Sequence, residues 1–298
     1  MPGSRSSVTA THAGRSSKVL ASSIAIAAGV LIGLSLGTLG GGGSILTVPV
    51  LVYLLHVAPR EATSASLIVV GVTSIVAAMI HARAGRVRWR SAIVFGTLGS
   101  ITAFVGSLAN RAVDPQVLLL GFAALMILAA IAMIRRTREP HDPADQPTGS
   151  KPPPAMPSGE TSAGLATATL ARATATSPAV KVIVSALVVG FLTGFFGVGG
   201  GFAIVPALVL ALGYSMPVAV GTSLVIISIT SAGAFIERLG SAATSWQIVV
   251  PFTLDAIAGS FGGKAISDRI SGLALTRGFA ALMIVVAAYM ATRAAVTI

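Results

Sequence analysis

The chain contains no cysteine among its 298 residues, which excludes disulfide bonds, thiolate metal sites and thiol catalysis. Aromatic residues make up only 5% of it and charged residues only 10%. Acidic residues are the scarcest charges, 9 Asp and Glu against 20 Lys and Arg, so the net charge is +11. A soluble protein of this size needs amphipathic helices and far more surface charge, so this composition excludes a soluble fold.

The residues that are present are mainly apolar. Hydrophobic residues make up 54% of the chain, and the mean hydropathy is +0.89. Apolar runs recur that are long enough to cross a hydrocarbon core of roughly 30 Å. The cations stand in short loops beside these runs, as in membrane proteins, and no basic face interleaves with aromatic residues, so nucleic-acid binding is not expected. The sequence therefore predicts an all-α integral membrane protein.

One glycine-rich phrase occurs twice. Gly33–Pro49 reads GLSLGTLGGGGSILTVP, and Gly190–Pro206 reads GFLTGFFGVGGGFAIVP, at an offset of 157 residues. The same offset pairs Trp89 with Trp246, and the GFAALMI that begins at Gly121 with the one that begins at Gly278. A constant offset over such a distance predicts two homologous repeats.

The repeats divide the chain into four parts. We expect a cytoplasmic N-terminal tail at 1–18, membrane repeat 1 at 19–138, a disordered cytoplasmic linker at 139–177 and membrane repeat 2 at 178–298. Each repeat has five apolar segments, of which the second is too short to span the membrane. If the first two segments make one net crossing around the glycines, each repeat has about four net spans. The charges then place both termini and the linker in the cytoplasm, and a parallel or an inverted relation between the repeats stays open.

The glycine clusters are the first candidate binding site. Several adjacent glycines interrupt a helix, and the helix that restarts presents unpaired N–H groups suited to an anion. The alternative is close helix packing through small residues. The candidate substrate-binding residues here are Gly40, Gly42, Gly43 and Ser44 in the first copy and Gly197, Gly199, Gly200 and Gly201 in the second.

Hydroxyl groups near the starts of the third segments are the second candidate. Ser64, Ser66, Thr222 and Ser223 could bind the oxygen atoms of an oxyanion. Alternatively, these hydroxyls hydrogen-bond to their own helix or to a neighbouring one.

Asp255 is a carboxylate midway along an apolar segment, where a charge is costly. It either couples transport to protons or bonds an adjacent helix. The four histidines are scattered with no carboxylate at ligand spacing, so neither a metal site nor a cofactor is expected.

The doubled phrase G-x-x-x-G-x-x-G-x-G-G, then V-P and A-x-x-T-S-L, resembles the TauE/SafE family of sulfite exporters. The second copy carries the pattern with Gly194, Pro206, Ala219 and the run Gly221–Leu224, whereas the first reads Ala-Thr-Ser-Ala-Ser-Leu at 62–67. The resemblance covers nearly all of the chain except the tail and the linker. It implies an inner-membrane transporter of small sulfur-containing anions.

The expected function is that of a multi-pass secondary transporter in the cell membrane, an exporter of sulfite or sulfonates and not an enzyme. Its expected partners are the small anionic substrate and membrane lipid, and self-association stays open. The alternatives are a passive anion channel and a non-transporting scaffold protein. An intramembrane serine protease is excluded because no histidine is placed to act as its base.

Overall fold

The computed structural model describes residues 23, 25–55, 57–110, 112–136, 178–196, 201–238 and 246–296. Within these ranges the chain forms helices and turns and no strand. The helices are α1 (Ala25–Leu39), α2 (Gly42–Pro49), α3 (Pro59–Arg83), α4 (Trp89–Asn110), α5 (Pro115–Arg136), α6 (Pro178–Phe196), α7 (Gly201–Leu210), α8 (Met216–Arg238), α9 (Trp246–Arg269) and α10 (Gly272–Val296). Helix α2 continues into a π-helical turn at Val50–Leu54. The predicted tail at 1–18 and linker at 139–177 lie outside the described residues.

Helix length and composition confirm the all-α membrane class. In the described part of the chain, 6 helices are long and apolar enough to cross a membrane, namely α3, α4, α5, α6, α8 and α10. Helix α9 has 24 residues but carries more charge, and α1, α2 and α7 are shorter. The outward sides of the long helices are apolar, as contact with lipid requires. Leu128 of α5, Val285 of α10 and Leu254 of α9 are each more than 60% exposed.

The ends of most helices can be assigned to one of two faces from the polar contacts between them. Arg86, after α3, forms a salt bridge of 2.6 Å with Asp268, near the end of α9. The Ser91 hydroxyl at the start of α4 hydrogen-bonds the Tyr214 hydroxyl after α7 over 2.7 Å. Arg136, at the end of α5, lies beside Gly213. These ends define one face, which we call the linker face because α5 ends there.

Helix directions follow from the order of contacts. Gly29 of α1 lies against Asp255 of α9, and Gly37, further along α1, lies against Gly263, so the two helices run parallel. Because α9 ends on the linker face, α1 starts on the opposite face, which we call the terminal face. Helix α3 ends on the linker face and therefore also starts on the terminal face. The pair α1–α2 thus leaves from the terminal face and returns to it.

In the second half, the glycine-broken pair α6–α7 also folds back on itself, but from the linker face. Helices α6 and α4 run parallel, since Gly190 packs against Gly99 and Gly194 against Ala103. Helix α6 therefore starts on the linker face, and α7 returns to that face. Each glycine-broken pair thus folds back as a hairpin, whereas the sequence predicts one net crossing for each pair. The number of net spans in a membrane stays a prediction.

The hairpins also set the faces on which the described helix ends lie. The outer ends of α1 and α10 lie on the terminal face, whereas the end of α5 and the start of α6 lie on the linker face. The cytoplasmic placement of the tail and the linker stays a prediction, because both lie outside the described residues.

Matched contacts join the two halves. Gly33 packs on the Ala256 carbonyl and Gly190 packs on the Gly99 carbonyl, two contacts whose members are related by the 157-residue offset. Helices α3 and α8 run antiparallel: Gly71 meets Ser231 at their centre, while the loop after α3 touches Gly221 near the start of α8. The sequence leaves open whether the two repeats are parallel or inverted, and these contacts support the inverted relation. The duplication itself stays a prediction.

Candidate functional site

The chain reverses direction at Gly40. Its φ is +67°, which favours glycine because a side chain would be strained there. The Gly40 N–H closes the last turn of α1 on the Leu36 carbonyl at 2.9 Å. Two residues into the new helix, Gly43 lies directly against Leu36 and Ile32, so α2 packs back on α1. A side chain at Gly43 would push the two legs of this hairpin apart.

The two hairpins meet through bare backbone. A methyl group on Gly41 would overlap the carbonyl oxygen of Gly201, the first residue of α7. The hydroxyl of Ser44 lies beside the α-carbon of Gly201 and donates a hydrogen bond of 2.7 Å to the Gly41 carbonyl. The fold thus brings together two predicted site residues from opposite halves, Ser44 and Gly201, and also Gly41, which stands between the predicted residues Gly40 and Gly42.

The start of α2 presents poorly satisfied amide hydrogens at this point. The first turn of any helix lacks internal acceptors for its N–H groups. Here the Gly43 N–H reaches the Gly40 carbonyl only at 3.5 Å, and the Ser44 N–H reaches the Gly41 carbonyl at 3.3 Å. Both distances are beyond the usual range, and no side chain caps the helix. The positive end of the α2 dipole therefore faces the hairpin junction.

Ser223 joins the same cluster from α8. It is fully buried, and its hydroxyl lies against Gly40. The hydroxyl donates to the Val220 carbonyl at 2.8 Å, so its oxygen keeps lone pairs available to a second donor. Gly40, Gly41, Ser44, Gly201 and Ser223 together form what we call the hairpin junction.

Other predicted site residues make contacts of their own. Gly42 packs on Phe279 and Leu282 of α10, as the close-packing alternative expects. The Thr222 hydroxyl accepts the Arg88 backbone N–H at 3.2 Å and so links α8 to the residue before α4. Ser66 is buried and donates to the Thr63 carbonyl at 2.8 Å. Ser64 is buried on the same helix. Gly197, Gly199 and Gly200 lie outside the described residues.

Asp255 is remote from the junction. It packs beside Gly29, which precedes Gly40 by eleven residues, about 16 Å along α1. It packs against α1, and whether its carboxylate bonds that helix stays open. A role in proton coupling stays a prediction.

The sequence reading missed a set of buried polar groups on α3. Thr73 and Ser74 are fully buried near the middle of the helix, and their hydroxyls have no hydrogen-bond partner in the described ranges. The fully buried His81 brings its Nε2 to within 3.1 Å of the Gly37 carbonyl, while its Nδ1 has no partner there. The sequence does contain a signal for these residues, because the Thr-Ser pair at 73–74 recurs as Thr230-Ser231 at the 157-residue offset of the repeats.

Among the described residues, no group of three or more His, Cys, Asp or Glu side chains is placed to hold a metal ion. Buried polarity in the bundle comes almost entirely from Ser and Thr hydroxyls, and no Arg or Lys is among the buried residues described. Such an interior can bind a small anion through neutral dipoles and release it again.

Comparison with known proteins supplies the family. The sulfite exporter TauE/SafE family matches residues 25–290. A "Probable membrane transporter protein" of Xylella fastidiosa is 33% identical over 91% of this chain and 95% of its own length. The "Probable membrane transporter protein YunE" of Bacillus subtilis is 26% identical over 81% of this chain and 88% of its own length. No solved structure matches. The chain belongs to the sulfite exporter TauE/SafE family of membrane transporters.

Proposed function

We propose that this membrane transporter exports small sulfur-containing oxyanions, sulfite or sulfonates, through the hairpin junction. The observation that carries the proposal is the contact between Gly41 and Gly201, where the positive end of α2 and the buried Ser223 hydroxyl converge inside an apolar bundle. The family name supports the substrate class.

Backbone amides and hydroxyls would replace the water that the anion leaves. The N–H groups of Gly43 and Ser44 have only long internal hydrogen bonds, so an anion gives them a better partner than they have now. The hydroxyls of Ser44 and Ser223 can rotate to donate to the same anion. A dipolar site without Arg or Lys binds weakly, which suits a carrier that must also release its substrate.

The Gly41–Gly201 contact acts as the gate in this proposal. With the backbones touching, the junction is sealed between the hairpins, and an anion enters it only when they separate. Each hairpin opens toward the face from which it starts, so separation of one or the other would expose the site to opposite sides in turn. This alternation distinguishes a carrier from a passive channel.

Charge supports an orientation in which the linker face is cytoplasmic. The described cations at the helix ends on that face are Arg83, Arg86, Arg88, Arg90, Arg135, Arg136, Lys181, Lys264, Arg269 and Arg277. The helix ends described on the terminal face carry fewer, with Arg60, Arg238 and Arg293. By the positive-inside rule, this distribution favours a cytoplasmic linker face, with the outer ends of α1 and α10 on the far side of the plasma membrane.

The membrane potential can drive export in this orientation. Moving one elementary charge releases about 2.3 kcal/mol per 100 mV, so a dianion that leaves a negative cytoplasm gains roughly 4.6 kcal/mol. That free energy corresponds to a concentration ratio of about a thousandfold. Export therefore needs no nucleotide-driven motor.

Flux into proteoliposomes tests the proposal. The purified protein would be assayed with sulfite, thiosulfate, sulfate, sulfoacetate and taurine, with and without an imposed potential and an imposed pH gradient. We expect saturable flux of a sulfur oxyanion that accelerates when the receiving side is positive. Flux that rises linearly with concentration would indicate a channel, and no flux of any anion would leave the scaffold alternative.

A further inference from the structure

A basic cavity opens on the linker face, away from the hairpin junction. Its volume is about 860 Å³, and it lies between the start of α4, the end of α5, the start of α6 and the loop after α7. Three cations line it: Arg90, Arg136 and Lys181. None of the described residues that line it is acidic. The cavity therefore concentrates positive charge that its own walls do not balance.

The nearest described ion pairs do not supply the missing counter-charge. Asp268, at the end of α9, is already paired with Arg86 and Lys264. Arg136 has a buried Nη1 with no hydrogen-bond acceptor among the described residues. A buried guanidinium nitrogen without an acceptor is costly, and a carboxylate- or phosphate-like group is the partner its planar fork fits best.

The cavity is held open by contacts in its floor. The Ser91 hydroxyl and the Tyr214 hydroxyl hydrogen-bond over 2.7 Å and so tie α4 to the loop after α7. Gly213 adopts a φ of +73° in that loop, which lets the chain turn beside Arg136. The cation-lined space is thus built by tertiary contacts from both halves and is more than a run of basic residues in sequence.

Next to the cations the lining becomes apolar and stays partly exposed. Val94 of α4 and Ile183 of α6 line the cavity, with 37% and 40% of their surface exposed. The cations stand at helix ends, the depth at which lipid headgroups lie. Cations at headgroup depth above exposed aliphatic side chains fit a negatively charged group that is attached to a hydrocarbon chain.

We propose that this cavity binds an oxyanion through Arg90, Arg136 and Lys181, and that its occupant in the membrane is the phosphodiester headgroup of an anionic phospholipid. A free phosphate or sulfate offers the same chemistry without the chain. The proposal stands apart from the transported substrate, since the cavity is lined by none of the hairpin-junction residues.

Fluorescence gives a direct test because Trp89 immediately precedes Arg90 and is 53% exposed. A Trp246→Phe background leaves Trp89 as the only tryptophan. Its quenching would be titrated in mixed micelles with brominated phosphatidylglycerol against brominated phosphatidylcholine. We expect a preference for the anionic lipid that falls about fivefold for each of Arg136→Gln and Lys181→Gln. Arg277→Gln, an exposed cation on the same face that does not line the cavity, should keep the preference.

A second arm separates the two sources of oxyanion. Thermal unfolding in neutral detergent would be measured with sodium phosphate or sulfate against chloride at equal ionic strength. Stabilisation of the parent protein by the free anion, lost in Arg136→Gln, supports the site with a soluble occupant. An equal response to both lipids together with no response to free anions would overturn the proposal. If Arg136→Gln does not fold, the double variant Arg90→Gln/Lys181→Gln carries the same comparison.

Discussion

The backbone of Gly41 lies so close to the carbonyl oxygen of Gly201 that no side chain fits between them. These residues come from opposite halves of the chain, and each stands at the start of the returning leg of a hairpin. The contact joins the two hairpins where the positive end of α2 and the buried Ser223 meet. The function of the molecule as a carrier depends on whether this contact opens.

Gly41→Ala and Gly201→Ala should each damage transport more than stability. A methyl group at either position forces the hairpins apart, and overpacking of this kind costs roughly 1–3 kcal/mol. Sulfite flux and the melting temperature would be measured side by side. Gly278→Ala is the matched control, because a methyl group there meets nothing within 4 Å. Wild-type flux in both junction variants would remove the contact from the mechanism.

Ser223→Ala should weaken substrate binding. Loss of one hydroxyl contact to a bound anion costs roughly 0.5–1.5 kcal/mol, which corresponds to a rise in KM of about two- to twelvefold. The fold should persist because the hydroxyl bonds only its own helix. Thr97→Ala is the control, since its hydroxyl bonds its own helix in the same way on an exposed surface. An unchanged KM would place Ser223 outside the binding site.

Thr222→Val should act on stability rather than on substrate affinity. The Thr222 hydroxyl accepts the Arg88 N–H at 3.2 Å, and its loss leaves that group without its partner at a cost of roughly 1–3 kcal/mol. We expect a lower melting temperature with an unchanged KM. A raised KM at an unchanged melting temperature would instead return Thr222 to the set of substrate-binding hydroxyls.

Asp255→Asn should abolish proton-coupled flux while substrate binding stays intact, if Asp255 is the coupling site. Flux would be recorded with and without a pH gradient, and binding by the substrate dependence of thermal unfolding. The Cβ of Asp255 packs beside Gly29, so a substitution of nearly equal size should leave the α1–α9 contact in place. Unchanged flux with unchanged pH dependence would leave Asp255 a structural role only.

Single cysteines can report the sidedness of the loops because the chain has no native cysteine. Ala84→Cys on the linker face and Ala112→Cys on the terminal face both occupy exposed positions. In intact cells stripped of their outer envelope, a membrane-impermeant maleimide should label Cys at 112 at once and Cys at 84 only after permeabilisation. The reverse labelling would invert the orientation, and labelling of both from outside would contradict the two-faced arrangement.

Much of the secondary structure was predictable from local sequence patterns. The apolar runs at 62–82, 91–109, 115–134, 218–236 and 273–292 predict spans whose ends lie within a few residues of those of α3, α4, α5, α8 and α10, because hydrocarbon thickness fixes span length. The interruption at Gly40–Gly41 was also correct, since the backbone there takes a conformation that only glycine adopts easily. Gly42 packs on Phe279, which lies 237 residues away in the chain, and its predicted role in substrate binding stays a prediction.

The direction of the chain after Gly40 was not predictable. A half-length helix that continues across the membrane and one that folds back have the same length and composition. The contact of Gly43 with Ile32 and Leu36 makes α2 fold back on α1, and no pattern along the sequence encodes that contact. The same limit applies to Thr222, because no pattern along the sequence predicts that its hydroxyl accepts the Arg88 backbone N–H from the loop before α4.

Sequence patterns alone were enough to predict a helical membrane protein of the TauE/SafE family with glycine interruptions at matched places. Such properties follow from local chemistry, namely the transfer of apolar side chains and the backbone freedom of glycine. The hairpins, the contact of Gly41 with Gly201, and the cavity shared by Arg90, Arg136 and Lys181 became visible only in the folded chain. These outcomes depend on which helices pack together, and close packing is a property of pairs of surfaces distant in sequence.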